Sequence, residues 1–345
     1  MDKRSRPFCY TSIAPLGRCA SWLALLFGAA ALQACTFGLS KFERELHSAR
    51  GAEGEVHGAN AAAGLYVFTY RNPRNFFDYY ELSLAPQDAR IASALAELRR
   101  HDRVRITGRF MDNPSPQKHI EVSSVAVVKR YAGSPEIPAY DYPENAFSEL
   151  RGADAALFLV HGVQADGRVL VVEHRDRVLP MFIRRPDLTR SLARNDVVRL
   201  HYRLQDSPEQ PAHLELRDDV EQPVEVIDSV MALHGKEARV EGALALFPKS
   251  PQVQFNVFAV LQDLPGGLRR QYTLANFKDK ETFAKIRDKL QAAWDASPEA
   301  ASGRNKLVSR RVRIRVAGTF NEVDVNQANV QILLGGPDAI EILTR

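Results

Sequence analysis

The 345-residue chain has three cysteines, Cys9, Cys19 and Cys35. The first two fall in an N-terminal stretch that reads as a removable leader, so a processed chain keeps Cys35 alone. One thiol builds no disulfide framework, no thiolate metal site and no cysteine-based catalytic centre. Long apolar runs are scarce too. Trp22 to Leu32 is about eleven residues, enough for the core of a signal segment and too short to cross ~30 Å of hydrocarbon as a helix. An excess of one charge is also missing. The formal net charge is +4, and Lys3, Arg4, Arg6 and Arg18 against Asp2 place +3 of it before residue 35, leaving about +1 for the rest. That remainder lacks the broad positive field of non-specific nucleic-acid binders, so nucleic acid is not expected as a partner.

Catalytic signatures are missing as well. None of the nine histidines sits in a His-Glu-x-x-His spacing. There is no Gly-x-Ser-x-Gly elbow and no pair of carboxylates that stands apart from ordinary surface acids. Gly266-Gly267 and Gly335-Gly336 lack the Lys-Ser/Thr of phosphate loops and read as turns. No catalytic residue, metal or cofactor is assigned, and the chain is expected to be non-enzymatic.

What is present begins with the leader. Its basic start and apolar run end in Leu32-Gln33-Ala34-Cys35, which resembles the lipobox of bacterial lipoproteins, with Gln33 a departure from the small residue usual there. The resemblance implies a signal peptide over 1–34 and lipidation of Cys35, whose several acyl chains give stable anchoring. Thr36, in place of an Asp, points to the periplasmic side of an outer membrane, where the cell has one. A cleaved secretory signal with a soluble product is the simpler alternative.

Three copies of one unit follow. Val104-Arg-Ile-Thr-Gly-Arg-Phe110 recurs as Val198-Arg-Leu-His-Tyr-Arg-Leu204 and as Ile314-Arg-Val-Ala-Gly-Thr-Phe320. Each alternates apolar and polar residues with the two-residue period of a half-buried strand. Matching pieces flank them: His119-Ile-Glu-Val122, His213-Leu-Glu-Leu216 and Asn329-Val-Gln-Ile332 at one constant offset downstream, and Val56-His-Gly58, Val160-His-Gly162 and Val240-Glu-Gly242 upstream, each with its Gly two residues after the Val. A glycine at that strand position predicts a bulge or bend, which a small barrel needs in order to curl closed. Two further strand-like runs and a helix lie between. The helix is marked by Asp88 with Ile91, Leu95 and Leu98 in copy one, and by Phe283, Ile286, Leu290 and Trp294 in copy three. Copy two has only Pro186 to Leu192.

The order β-β-β-α-β-β is that of the OB-fold. The fold class read from the sequence is therefore mainly β: three tandem OB-like five-stranded barrels, each with one helix between strands three and four. On the motifs above, residues 52–345 resemble the exported bacterial OB domains often labelled tRNA-anticodon-like. That resemblance is structural, carries no catalytic residue and does not imply tRNA. Tyr202 stands where the other copies have a fourth-strand Gly. The division predicted is a tether at 35–51, barrels at 52–133, 149–220 and 234–345, linkers at 134–148 and 221–233, and an insertion at 295–306.

One segment invites a ligand. Tyr66, Phe68 and Tyr70 alternate on the second strand of copy one, with Arg71 and Arg74 at its end. In OB-folds strands two and three form the ligand face, where rings stack bases or sugars and Arg holds phosphate or carboxylate. The same rings equally suit the core of a small barrel, a seam between copies, or a protein-binding surface. Arg105, Arg199 and Arg315 share a repeat position and read as a solvated strand face. The function expected from these features is a membrane-anchored cell-envelope lipoprotein whose repeats bind a protein or glycan partner or act as a scaffold. The alternatives are a single-stranded nucleic-acid-binding OB protein and an enzyme of unknown class.

Overall fold

A computed structural model describes residues 39–61, 64–71, 79–112, 117–132, 147–175, 177–206, 212–248, 255–297, 307–321 and 330–344. Strands dominate, and they close into three five-stranded barrels, one per repeat. Barrel one uses β1 (Ala52–Asn60), β2 (Leu65–Arg71), β3 (Tyr79–Pro86), β4 (Arg103–Phe110) and β5 (His119–Lys129), in spatial order β1-β2-β3-β5-β4. Barrel two uses β6 (Ala155–Val163), β7 (Val169–His174), β8 (Arg177–Phe182), β9 (Val197–Gln205) and β10 (His213–Leu216), with β11 (Val224–Asp228) added outside β9. Barrel three uses β12 (Glu237–Phe247), β13 (Val257–Asp263), β14 (Arg269–Ala275), β15 (Leu307–Phe320) and β16 (Val330–Leu333), with β17 (Ile340–Thr344) outside β15. In each barrel the third and fifth strands run parallel, as the crossover through the fourth requires. The chain is thus an array of tandem OB-like barrels.

The strand-one glycines mark bulges in the first two barrels. The register of β1 on β2 slips between Val56 and Gly58, and that of β6 on β7 between Val160 and Gly162, leaving His57 and His161 as the extra residues. Closure also needs small residues on strand four. A Cβ on Gly108 would lie 2.1 Å from Glu121 O, and one on Gly318 2.4 Å from Leu333 O. Tyr202, at the matching position of copy two, is buried instead, with its hydroxyl donating to Leu150 O at 3.0 Å and its ring edge-on to Phe158.

Between strands three and four, barrel one carries α2 (Ala89–Ala96) and barrel three α3 (Lys280–Asp295); α1 is a helix over 39–47. Asp88 caps α2 by accepting from Ile91 N at 2.8 Å, and Asp279 caps α3 by accepting from Glu281 N and Thr282 N. Barrel two has a single 3-10 turn there, Pro186–Leu188. Parts of two sequence-assigned connections form regular structure. In the stretch assigned as tether, α1 buries Phe42 and Leu46 in barrel one, and in the linker at 221–233, β11 pairs with β9. Residues 298–306 of the insertion lie outside the described residues. Among the described residues, no helix is long and apolar enough to cross a membrane.

Candidate functional site

The predicted aromatic face of barrel one turns inward. Tyr66, Phe68 and Tyr70 are 6%, 0% and 2% exposed, packed with the α1 residue Phe42, whose ring lies 4.6 Å from that of Tyr70. The Tyr70 hydroxyl donates to Glu45 Oε2 at 3.2 Å. Burying these rings removes far more apolar surface from water than a ring exposed for stacking would. Arg71 ends β2 half-buried, while Arg74 and Cys35 lie outside the described residues. The arginines at the shared strand-four position are each neutralised: Arg105 by Glu53 at 3.0 Å, Arg199 by Glu225 at 2.9 Å, and Arg315 by Glu341 at 2.6 Å and Glu241 at 2.9 Å. They form no free track for phosphates.

Barrels one and three also spend part of their ligand-face strands on docking to barrel two. On β3, Glu81 is 4% exposed and its carboxylate takes Arg194 of barrel two in an ion pair, with His57 Nε2 3.9 Å away. The guanidinium and the imidazoles outweigh burial and hold the Glu81 carboxyl near pKa 2. One of its oxygens takes the Arg194 guanidinium and the other faces the His57 ring, so it offers none to a substrate. On β14, Arg270 is 1% exposed and donates to Asn195 O at 2.8 Å and to Asp228 at 2.8 Å. Leu268 and Leu264 of barrel three pack on Leu157, Leu159 and Val197 of barrel two.

Barrel two keeps its own site open. Phe182 ends β8, its third strand, 37% exposed, with the His213 ring edge-on at 5.1 Å. It pairs in register with Val169 on β7 and Glu215 on β10. An open groove of 340 Å³ lies beside it, lined by Gln164, Asp166 and Arg168 from the loop between strands one and two, then Phe182, Arg184 and Glu215. That combination of third strand and first loop is where OB-folds take oligonucleotides and oligosaccharides. Arg168 keeps a long contact with Asp166 at 4.0 Å, with side chains 74% and 55% exposed. The cations are therefore solvated and within reach of a ligand.

Sequence reasoning missed this site although the repeat held the signal. Leu84, Met181 and Tyr272 occupy one position, each paired with the first apolar residue of the fifth strand. The next residue is Ala85, Phe182 or Thr273, so only copy two places a large ring on the outer face. The recurring His57 and His161 are bulge residues, and His119 and His213 diverge, one buried between barrels and the other against Phe182. Among the described residues no three His, Cys, Asp or Glu side chains converge as a metal set.

No family model and no curated protein matches the chain. Solved structures do. A murine DNA-binding protein bound with double-stranded DNA is matched over 52% of this chain and 96% of its own, at 11% identity and TM-score 0.18. Drosophila Unr CSD456 is matched over 86% and 98%, at 9% identity and TM-score 0.16. A multidomain protein with nucleic-acid-binding domains from Streptococcus pneumoniae is matched over 82% and 72%, at 10% identity and TM-score 0.15. These are likenesses of fold and license nothing finer. The expectation was an envelope scaffold for protein or glycan with nucleic acid an unlikely partner; the matched structures described by a ligand are instead DNA- or nucleic-acid-binding proteins, and their likeness to this chain is one of fold alone. The near-neutral charge beyond the leader, on which that expectation rested in part, is a poor guide, because binding answers to the local field of a groove.

Proposed function

We propose that the chain binds single-stranded nucleic acid through barrel two, with a base stacked on Phe182 and the adjoining phosphates held by Arg168 and Arg184. The observation that carries this reading is the exposed Phe182 ring on the third strand, beside a groove lined by those two arginines. Every base has a π-face, so one ring serves any sequence, and the cations supply the salt-dependent part of the affinity. The array acts by binding and turns nothing over.

A fluorescein-labelled, mixed-sequence DNA strand titrated with the full chain tests this by polarisation. Phe182→Ala is expected to weaken binding by about fivefold or more, the stacking of one base being worth roughly 1–3 kcal/mol. Arg184→Ala is expected to lower the log–log salt slope by about 0.7. Absence of binding at low salt ends the proposal.

The leader belongs to the same reading: we take the chain to be exported and tethered through a lipidated Cys35. Metabolic labelling with an alkyne fatty acid should mark the wild type and spare Cys35→Ser. Equal labelling of the two removes the anchor.

A further inference from the structure

Barrel one grips a short stretch of barrel two, the end of β6 and the loop that follows it. His119, the first residue of β5, is 0% exposed, and its Nε2–H donates to Val163 O at 2.6 Å. The Val163 N–H donates back to Gln117 Oε1 at 3.1 Å, and Gln164 Nε2 donates to Gly64 O at 3.4 Å. Beside this grip lies the Glu81–Arg194 ion pair, flanked by the two bulge histidines.

The charged and titratable groups facing the junction come from both sides. Barrel one supplies Glu81, His57, His119, Arg100 and His101, the last held by Glu55 at 2.7 Å. Barrel two supplies Arg194, Asp166, His161 and Glu173, the last two 3.9 Å apart. Glu81 is already committed to Arg194, so a proton on His119 adds a buried positive charge that has only Asp166 to offset it. A charged imidazole there loses its hydration, and only Asp166 and the backbone of the junction offset that loss. Burial holds both His119 and His57 below the ordinary histidine value of 6.5. For His119 it outweighs hydrogen bonds to the Val163 and Gln117 backbones.

We propose that the junction is an acid-labile latch: protonation of His119 releases barrel one from barrel two. Loop 164–168 carries the latch contacts of Gln164 and also lines the Phe182 groove, so release changes the affinity of that groove. This second half rests on the nucleic-acid reading; the latch itself does not. The sign follows from proton linkage. The docked state keeps His119 neutral and the released state restores its ordinary value, so release takes up a proton once the pH falls below about 6.5. Its protonation then weakens docking by up to about tenfold per pH unit, until its docked value is reached.

Small-angle scattering of the full chain, followed from about pH 7.5 to about pH 5 with circular dichroism alongside, tests the latch. The expected result is a rising radius of gyration with strand content unchanged. His119→Asn keeps an amide donor for Val163 O without a titrating ring, and it should hold the radius constant over the same interval. A wild-type radius that does not move overturns the latch, and a variant that expands as the wild type does overturns the role of His119. Polarisation with the labelled DNA strand reads the coupling. Affinity that shifts with pH in the wild type and stays level in His119→Asn supports it, and level affinity during wild-type expansion overturns it. DNA that binds at no pH counts against the nucleic-acid reading and leaves the scattering test of the latch intact.

Discussion

Glu81 shows how position rather than residue type sets a side chain's role. In the sequence it is one acid among many on a strand-like run. Folded, it is 4% exposed and locked to Arg194, with its carboxyl pKa pushed from 4.5 to about 2. A depressed carboxyl contributes stability that is present above its unfolded value and lost as the pH falls through the folded one, here between about pH 4.5 and 2. Glu81→Gln keeps the shape and removes the charge, leaving Arg194 buried beside a neutral amide. The expected cost to docking at neutral pH is on the order of 3 kcal/mol. Hydrogen exchange of the Val163 amide, which donates across the junction to Gln117, reads that cost directly. Protection should drop roughly a hundredfold at pH 7, and unchanged protection would discredit the buried pair as a docking element.

Strand four and its neighbours decide whether each barrel closes. Gly108 and Gly58 both come from repeat motifs, yet only one sits against a neighbour. A Cβ at Gly108 meets the Glu121 carbonyl at 2.1 Å, whereas one at Gly58 has nothing within 4 Å. Gly108→Ala is therefore expected to cost about 1–3 kcal/mol in urea unfolding of barrel one, with Gly58→Ala within about 0.5 kcal/mol of wild type. Equal effects of the two would mean that close strand approach is not what the fourth-strand glycine secures. The strands and the helices α2 and α3 were legible because their burial follows a fixed period. The outer strands β11 and β17 were not. Val224 to Val226 pair along the outside of strand four, Ile227 is skipped at a register slip, and half-exposed residues there leave no clean alternation. In barrel one the same role falls to the second half of β5, which continues past a register slip at Gly108 instead of breaking.

Across the whole molecule, the barrels are unequal although the repeats look alike. Barrels one and three use β3 and β14 to dock on barrel two, through Glu81 with Arg194 and Arg270 with Asn195 and Asp228. Matched loops precede strand four in barrels one and two. His101 and Asn195 share a left-handed backbone, with φ of 70° and 72°. The Asp that follows each accepts from backbone N–H groups on either side: Asp102 from Arg99 and Tyr131, and Asp196 from Ala193 and Val230. Asp196 in this way ties barrel two to the start of barrel three. The middle barrel is left with an unoccupied third-strand ring and two solvated arginines, and the proposed binding site lies there.

The sequence by itself determined the module and its number. Alternation, glycine position and a constant offset between strands four and five are local properties, and a strand's two-sided pattern survives whatever it later packs against. It also held the odd Phe182, visible once the three copies are aligned. Only the tertiary structure decided which aromatic residues face water. Tyr66, Phe68 and Tyr70 have the pattern of a stacking face, but α1 reaches back from the stretch assigned as tether and closes over them. Alternation states that three rings share a face and is silent on which side of the barrel wall that face lies. That choice rests on long-range contacts, which no short window of sequence contains.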